Sequence, residues 1–189
     1  SDDAEGDHQS PSPQDGWRDL FDGQDLSQWG VVGGREGDWQ IATGGVAHWK
    51  DGPPSWLATH EEFSDFELSL DFRLGENASS GVLLRAVRKS IESMPGLRIQ
   101  LEDDHALGID PLDRDGWTGA VSFLKEPSAR ASRKANEWQQ LHVLCRGTEL
   151  AVTLNRTKVI DIDWRDYGTR AKKRVPALKS SSGAIGLQI

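Results

Sequence analysis

The sequence predicts an all-β domain, a sandwich or jelly roll of two antiparallel sheets. Apolar and polar residues alternate with a period of two along much of the 189-residue chain, as in strands with one buried and one solvated face. Short clusters of Gly, Asn, Asp and Pro separate these segments, and no long amphipathic helix interrupts them. Many short strands joined by turns are typical of this fold class.

The alternation places the individual strands. It is clearest over 66–74 and 97–102, where every second residue is apolar. Shorter strands are predicted at 39–42, 45–49, 55–59, 81–87, 119–124, 138–146, 149–155, 158–162 and 184–188. We expect the core between the two sheets to include Phe66, Leu68, Leu70, Phe72, Ile99, Leu101, Leu141 and Val143.

The first fifteen residues differ in composition from the rest. They hold five acidic residues, no Lys or Arg, and Ala4 as the only hydrophobic residue besides proline. Such a segment cannot bury enough surface to offset the entropy of ordering. We therefore expect a disordered polar leader over 1–15 with few contacts to a domain over 16–189. A polar leader of this kind favours an exported protein (periplasmic, cell-surface or extracellular) trimmed after its signal sequence.

The charge of the folded part limits the classes of partner. The net charge of −8 becomes −3 once 1–15 are set aside, since 25 acidic residues then stand against 22 basic ones. A near-neutral domain without a basic stripe argues against nucleic acid as a partner. No stretch approaches the roughly 20 apolar residues of a membrane span, so we expect no membrane insertion. The single cysteine, Cys145, lies in an alternating strand and is interpreted as a buried, inert thiol.

Polar side chains on the predicted sheet faces are the candidates for chemistry. If Ile99 and Leu101 face the core, then Arg98, Gln100 and Glu102 share the opposite face, because successive side chains of a strand alternate. This face would present a cation, an amide and a carboxylate side by side.

Three further residues are expected to converge on this face. Arg85 lies in an apolar strand, where its charge needs an anion or carbonyl partner, and strand parity places it beside Gln100. Asp103 follows directly after the polar strand. Trp117 lies in a turn-rich loop where a core role is hard to satisfy, and we interpret it as a platform for stacking sugar rings. We predict that Arg85, Gln100 and Asp103 line one cleft, with Trp117 near its rim.

A metal site is an open alternative at the same place. Glu102, Asp103, Asp104 and His105 could bind a divalent cation through carboxylate oxygens. They have neither EF-hand spacing nor a Cys/His zinc pattern. The sequence establishes no cofactor, and a divalent metal remains a hypothesis.

Several segments resemble one known family in order. The opening 16–29, GWRDLFDGQDLSQW, is similar to the opening of the 3-keto-disaccharide hydrolase domain family. The segments 63–74, 118–120 and 183–188 follow as in that family, and the resemblance spans 16–189. It implies a concanavalin A-like jelly roll, a bacterial exported protein and a carbohydrate partner. It also leads us to expect a further loop and a final strand beyond Ile189.

The resemblance implies cleavage of glycosides already oxidised at C3 of the sugar. A ketone at C3 makes the C2 proton removable, the enolate expels the aglycone from C1, and water then adds. Such a reaction needs a base at C2 and a donor facing the C3 oxygen. By position the resemblance assigns Asp103 as base or metal ligand, and Arg85 with Gln100 as contacts to substrate or oxyanion. The expected substrate-binding residues are Trp117, Glu102, His105 and Arg98.

Two other functions remain open. Position 98 is acidic in most of the family and is Arg98 here, which favours a carbohydrate-binding module of the same fold without catalysis. A structural or adhesion domain that uses its sheet for protein contacts is the third possibility. Fold alone does not decide among them.

Overall fold

The structure is a computed structural model that describes residues 16–50, 52–87, 96–108, 110 and 112–189. The predicted leader 1–15 lies outside the described residues. Within them, no helix is long and apolar enough to cross a membrane.

Eleven strands form nearly all of the described regular structure. They are β1 (Trp29–Val32), β2 (Trp39–Ala42), β3 (Val46–Trp49), β4 (Trp56–Thr59), β5 (Phe66–Phe72), β6 (Ser79–Ala86), β7 (Leu97–Glu102), β8 (Gln139–Arg146), β9 (Glu149–Leu154), β10 (Thr157–Asp163) and β11 (Ala184–Gln188). One short helix, α1 (Gly168–Arg174), lies between β10 and β11, and 3₁₀ turns occur at Arg114–Gly116, Trp164–Tyr167 and Pro176–Lys179.

The strands pair into two main antiparallel sheets and a hairpin. The five-stranded sheet has the order β1-β4-β11-β6-β7, the four-stranded sheet the order β10-β9-β8-β5, and β2 pairs with β3. Non-sequential neighbours in the first sheet mean that the chain crosses between sheets, as in a jelly roll. The predicted fold class, an all-β jelly-roll sandwich, is confirmed.

The core lies between the two main sheets and follows strand parity. Ile99 in β7, and Leu141 and Val143 in β8, are fully buried, and Leu101 is nearly so. Leu68 and Phe72 of β5 are also buried, while Phe66 and Leu70 are partly buried against the same cluster. The set of core residues expected from the alternation is therefore confirmed.

Two local expectations were wrong. Residues 119–124 do not form a full strand: Val121 makes single bridges to Ile99 and Lys125, and a turn follows. The strand β1 was not predicted, because its sequence WGVV contains a glycine and lacks polar alternation.

Candidate functional site

A cluster of polar side chains covers the outward face of the five-stranded sheet at the β6–β7 end. In register, Gly81 lies opposite Gln100 and Leu83 opposite Arg98, so these outward positions adjoin. Ser122, in the segment that follows Val121, also reaches Arg98. We call this cluster the polar face: Ser79, Arg98, Gln100, Glu102, Ser122 and Gln188.

Arg98 is hydrogen-bonded to three other members of the polar face. Its Nε donates to Gln188 Oε1 at 2.7 Å, and its Nη2 donates to the Ser80 carbonyl at 2.9 Å. Its Nη1 donates to Gln100 Oε1. Burial lowers the pKa of Arg98 from its usual value, and the negative charge of Glu102 opposes this shift. The guanidinium stays cationic, since arginine does not lose its proton in proteins.

Gln100 and Glu102 continue the network along β7. Gln100 Nε2 donates to Glu102 Oε2 at 2.7 Å and to Ser79 Oγ at 3.1 Å. Gln100 is buried, whereas Glu102 is half-buried and therefore open to solvent on one side. The backbone of Glu102 is fixed at both ends by Thr118, whose Oγ1 accepts from the Glu102 N–H and donates to its carbonyl. The polar face thus holds a positioned carboxylate beside an amide and a guanidinium.

Asp103 lies next to this cluster, but its carboxylate holds backbone groups of the protein. Its Oδ2 accepts the backbone N–H of Asn77 at 3.0 Å and its Oδ1 that of His105 at 3.3 Å. The side chain is buried, and Asn77 has a positive φ of 56° in the turn that Asp103 holds. Both carboxylate oxygens therefore serve backbone groups of neighbouring turns.

Arg85 does not reach the polar face, and the predicted convergence with Gln100 is wrong. Its Nε donates to the Ser64 carbonyl at 2.9 Å and its Nη1 to the Gly147 carbonyl at 2.8 Å. Its Nη2 pairs with Asp65 Oδ1 at 3.2 Å, and its guanidinium lies 5.4 Å from the centre of the Trp164 ring. These groups belong to the four-stranded sheet and its ends, so the side chain points between the sheets.

A β-bulge explains the reversal. From Leu83 to Ala86, β6 spans one residue more than its partner segment Gly186 to Ala184 of β11. Arg85 lies in this bulge with a positive φ of 49°, and an extra residue breaks the alternation of faces. Sequence parity could not show this, because nothing in the residue pattern marks the extra residue.

The two other predicted contacts lie beyond the β7 end of the face. Trp117 precedes Thr118 and is flanked by two guanidinium groups, with Arg130 at 4.7 Å and Arg114 at 5.6 Å from its ring centre. Its ring faces are therefore partly covered by arginines. The His105 ring lies 3.2 Å from the Ser132 carbonyl and is exposed. Within the described part of the chain, neither Trp117 nor His105 is hydrogen-bonded to a member of the polar face.

The residues of the metal hypothesis do not converge. Asp104 is buried, with Oδ1 accepting from the Thr118 N–H and Oδ2 from Ser132 Oγ, while Asp103 is held as described above. Across residues 16–50, 52–87, 96–108, 110 and 112–189, no group of three or more His, Cys, Asp or Glu could hold a metal ion. Glu102 to His105 therefore do not fit a cation site built from these four residues alone.

Two cavities accompany the polar face. The larger, of about 1520 Å³, opens beside β5 between the sheets. Its walls include the core side chains Leu57, Leu68, Leu101 and Ile185. Ser79 and Gln188 line it as well, so the cavity extends from the core to the edge of the polar face. The smaller, of about 370 Å³, lies beside the turn that follows Ser122.

Sequence reasoning missed three members of the polar face. Ser79, Ser122 and Gln188 come from three separate segments that only the sheet pairing brings to β7. Gln188 closes the Gly-x-Ile-Gly-Leu-Gln ending, but its sequence does not reveal that β11 lies two strands from β7 in the sheet. The strand order was the missing information.

Comparison with solved structures gives the same fold. A putative glycosyl hydrolase from Parabacteroides distasonis superposes with a TM-score of 0.73 at 21% identity, covering 89% of this chain and 85% of that chain. A second from the same organism gives 0.69 at 23% identity, covering 86% and 91%. The carbohydrate-binding module CBM66 from Bacillus subtilis gives 0.56 at 17% identity, covering 86% and 87%. At these identities the likeness shows the fold alone.

Sequence comparison is more specific. No curated protein matches the chain. The family model described as a 3-keto-alpha-glucoside-1,2-lyase-like domain matches residues 16–189, the whole span over which the resemblance was noted. The chain belongs to the 3-keto-alpha-glucoside-1,2-lyase-like domain family.

Proposed function

We propose that the domain cleaves 3-keto-glycosides at the polar face, with Glu102 as the base. The observation that carries this proposal is the hydrogen-bonded row Arg98–Gln100–Glu102, which holds a half-exposed carboxylate next to two strong donors. A base beside donors is what proton abstraction next to a ketone requires. Family membership supports the substrate class.

The roles follow from the charges. Glu102 takes the proton from C2, and the electrons of that C–H bond pass to the C3 oxygen as an enolate. Arg98 and Gln100 donate hydrogen bonds to this oxygen as it gains negative charge. The enolate then collapses, forming a C1–C2 double bond and breaking the bond from C1 to the aglycone oxygen, which takes the proton held by Glu102. Water adds its oxygen at C1 and a proton at C2, which restores the 3-keto sugar.

Glu102 replaces Asp103 in the proposed role because of what each carboxylate already binds. Both Asp103 oxygens accept backbone N–H groups inside the protein. Glu102 has one oxygen bonded to Gln100 and a side that is open to solvent. Arg85 has no role in the reaction, since its guanidinium lies between the sheets.

The test compares a 3-keto-disaccharide with its unoxidised parent, each with and without a chelator. We expect turnover of the keto form alone, since only the ketone acidifies C2. Glu102→Gln should lower kcat by about 10² or more, the usual contribution of a general base, and leave the melting temperature nearly unchanged. The chelator arm measures whether a divalent cation takes part.

Asp103→Asn is the matched control one residue away. It should keep kcat within a few-fold while losing about 1–2 kcal/mol of stability, because an amide replaces a charged acceptor for two backbone N–H groups. If Asp103→Asn abolishes turnover in folded protein and Glu102→Gln does not, the base is misassigned.

A specific observation favours a second candidate, a carbohydrate-binding module without catalysis. Arg98, Gln100 and Glu102 satisfy one another within the protein, so each donor must exchange a partner before it can serve a substrate. A fold similar to CBM66 from Bacillus subtilis accords with this candidate. Binding of either sugar without turnover would support it over the lyase. Export of the domain stays a prediction of the sequence.

A further inference from the structure

Phe123 occupies a position whose backbone does not suit it. The Leu124 N–H donates to the Val121 carbonyl at 2.9 Å, which closes a β-turn with Phe123 in its third position. The φ of Phe123 is +63°. Gly and Asn are the usual residues where this position requires positive φ, and a bulky aromatic residue there is an outlier.

Much of Phe123 is accessible to a ligand. Phe123 is 67% exposed, so most of its ring surface is not buried by the protein. The backbone conformation stores strain at the same time. Glycine or asparagine would make the same turn with less strain.

The ring borders a small cavity with suitable chemistry for a neutral sugar. Phe123 and Tyr167 line the cavity of about 370 Å³ together with Asp115, Lys125 and Glu126. A sugar ring offers C–H bonds to the electron-rich face of an aromatic ring and hydroxyl groups to carboxylates, an ammonium and a phenol. The cavity thus combines an aromatic wall with charged partners for hydroxyls.

The cavity adjoins the polar face through the chain. Phe123 follows Ser122, whose N–H donates to the Arg98 carbonyl at 2.9 Å and whose hydroxyl lies 3.5 Å from Arg98 Nη1. Neighbouring Cα atoms are about 3.8 Å apart. The aromatic wall therefore begins at the residue that directly follows the polar face.

We propose that Phe123 and its cavity bind the second sugar ring of a 3-keto-disaccharide whose oxidised ring lies on the polar face. This proposal rests on the proposed function and adds a subsite for the leaving sugar. Phe123 then sets the preference for a disaccharide over a glycoside with a small aglycone.

The experiment measures the affinity of the Glu102→Gln parent protein, and of two variants made in it, for two ligands. The ligands are a 3-keto-disaccharide and the matching methyl 3-keto-glucoside, with Glu102→Gln in every protein so that no turnover intervenes. Phe123→Asn removes the ring and suits the positive φ, and Phe123→Tyr keeps the ring. We expect Phe123→Asn to weaken disaccharide binding about tenfold and to leave the methyl glycoside within twofold. Phe123→Tyr should retain both affinities.

The outcomes separate this subsite from the function on which it rests. Equal loss for both ligands, or no loss for either, overturns the subsite and leaves the proposed function intact. Failure of the parent protein to bind either ligand overturns both. Thermal melting gives an independent measurement: Phe123→Asn should keep or raise the melting temperature, and a marked fall would show that the ring serves the fold instead.

Discussion

Arg85 shows how a buried charge can be structural. Its guanidinium is 2% exposed and donates to two backbone carbonyls and one carboxylate, in addition to its contact with Trp164. Because Asp65 is more than half exposed, the ion pair itself contributes little. The main contribution comes from the hydrogen bonds that the buried guanidinium donates to the Ser64 and Gly147 carbonyls.

Arg85→Met is expected to destabilise the fold by about 2–4 kcal/mol, since it removes two charge-assisted hydrogen bonds to backbone carbonyls. Urea unfolding followed by tryptophan fluorescence measures this loss. Arg73→Met is the matched control: Arg73 is exposed and its guanidinium lies 5.1 Å from the Trp138 ring centre, so it should cost less than about 1 kcal/mol. Equal losses in the two variants would contradict the structural role of Arg85. Turnover by the folded fraction of Arg85→Met should stay near the wild-type value.

Single residues were predictable where parity alone decides. Cys145 was expected as an inert thiol in an alternating strand, and it is fully buried, with burial raising its thiol pKa to about 11. Arg98, Gln100 and Glu102 share a face as their spacing requires. Arg85 was misplaced because the bulge in β6 adds a residue that the pattern does not reveal.

At the scale of elements, β6 and β11 are held together by a close backbone approach. A Cβ added to Gly183 would lie 2.4 Å from the Arg85 carbonyl carbon and 2.7 Å from the Ala86 carbonyl oxygen. Gly183 also exchanges backbone hydrogen bonds with Phe63, at 2.8 and 3.1 Å. The glycine therefore lets the chain pass against the bulge of β6, where any side chain would collide with backbone.

Gly183→Ala should lower stability by about 1–3 kcal/mol or more, because a methyl group forced against backbone cannot be accommodated by rotating a side chain. Chemical denaturation of the purified variant measures the change. Gly75→Ala is the control, since no heavy atom lies within 4 Å of its added Cβ and its φ is not in the positive range that strains other residues. It should be neutral or slightly stabilising. A stable Gly183→Ala protein would contradict the close approach of β6 and β11.

The segment between β7 and β8 marks the limit of element prediction. Residues 119–124 have strand-like composition, yet the Val121–Lys125 bridge turns the chain back after one pairing with β7. The turn brings Ser122 to Arg98 and Phe123 to the small cavity. Local alternation cannot distinguish a strand from a short bridge followed by a tight turn, since both begin with the same pattern.

For the whole molecule, the sequence indicated the fold better than the site. Alternation fixes which residues face the core, so a two-sheet sandwich follows from the strands alone. The polar face depends instead on strand order, since Gln188 reaches Arg98 only because β6 lies between β11 and β7. Strand order in a jelly roll is decided by long-range pairing, which short-range patterns do not encode. Arg85 was misplaced by the bulge in β6, and the hydrogen bonds of Asp103 to Asn77 and His105 join turns that the alternation does not encode.

The two-sheet architecture predicts that truncating two leucines of the same strand will cost different amounts of stability. In β8, Leu141 is fully buried towards the five-stranded sheet, while Leu144 is half-buried on the outward face opposite Glu67 and Ala151. Leu141→Ala should cost about 2–5 kcal/mol, because it opens a cavity between the sheets. Leu144→Ala removes the same atoms from a partly solvated face and should cost about 1 kcal/mol.

Urea unfolding monitored by both circular dichroism and tryptophan fluorescence measures each loss and tests whether the two sheets unfold together. Coincident transitions are expected for one shared core. Similar costs at the two positions would mean that the face of β8 turned to the first sheet is not the core.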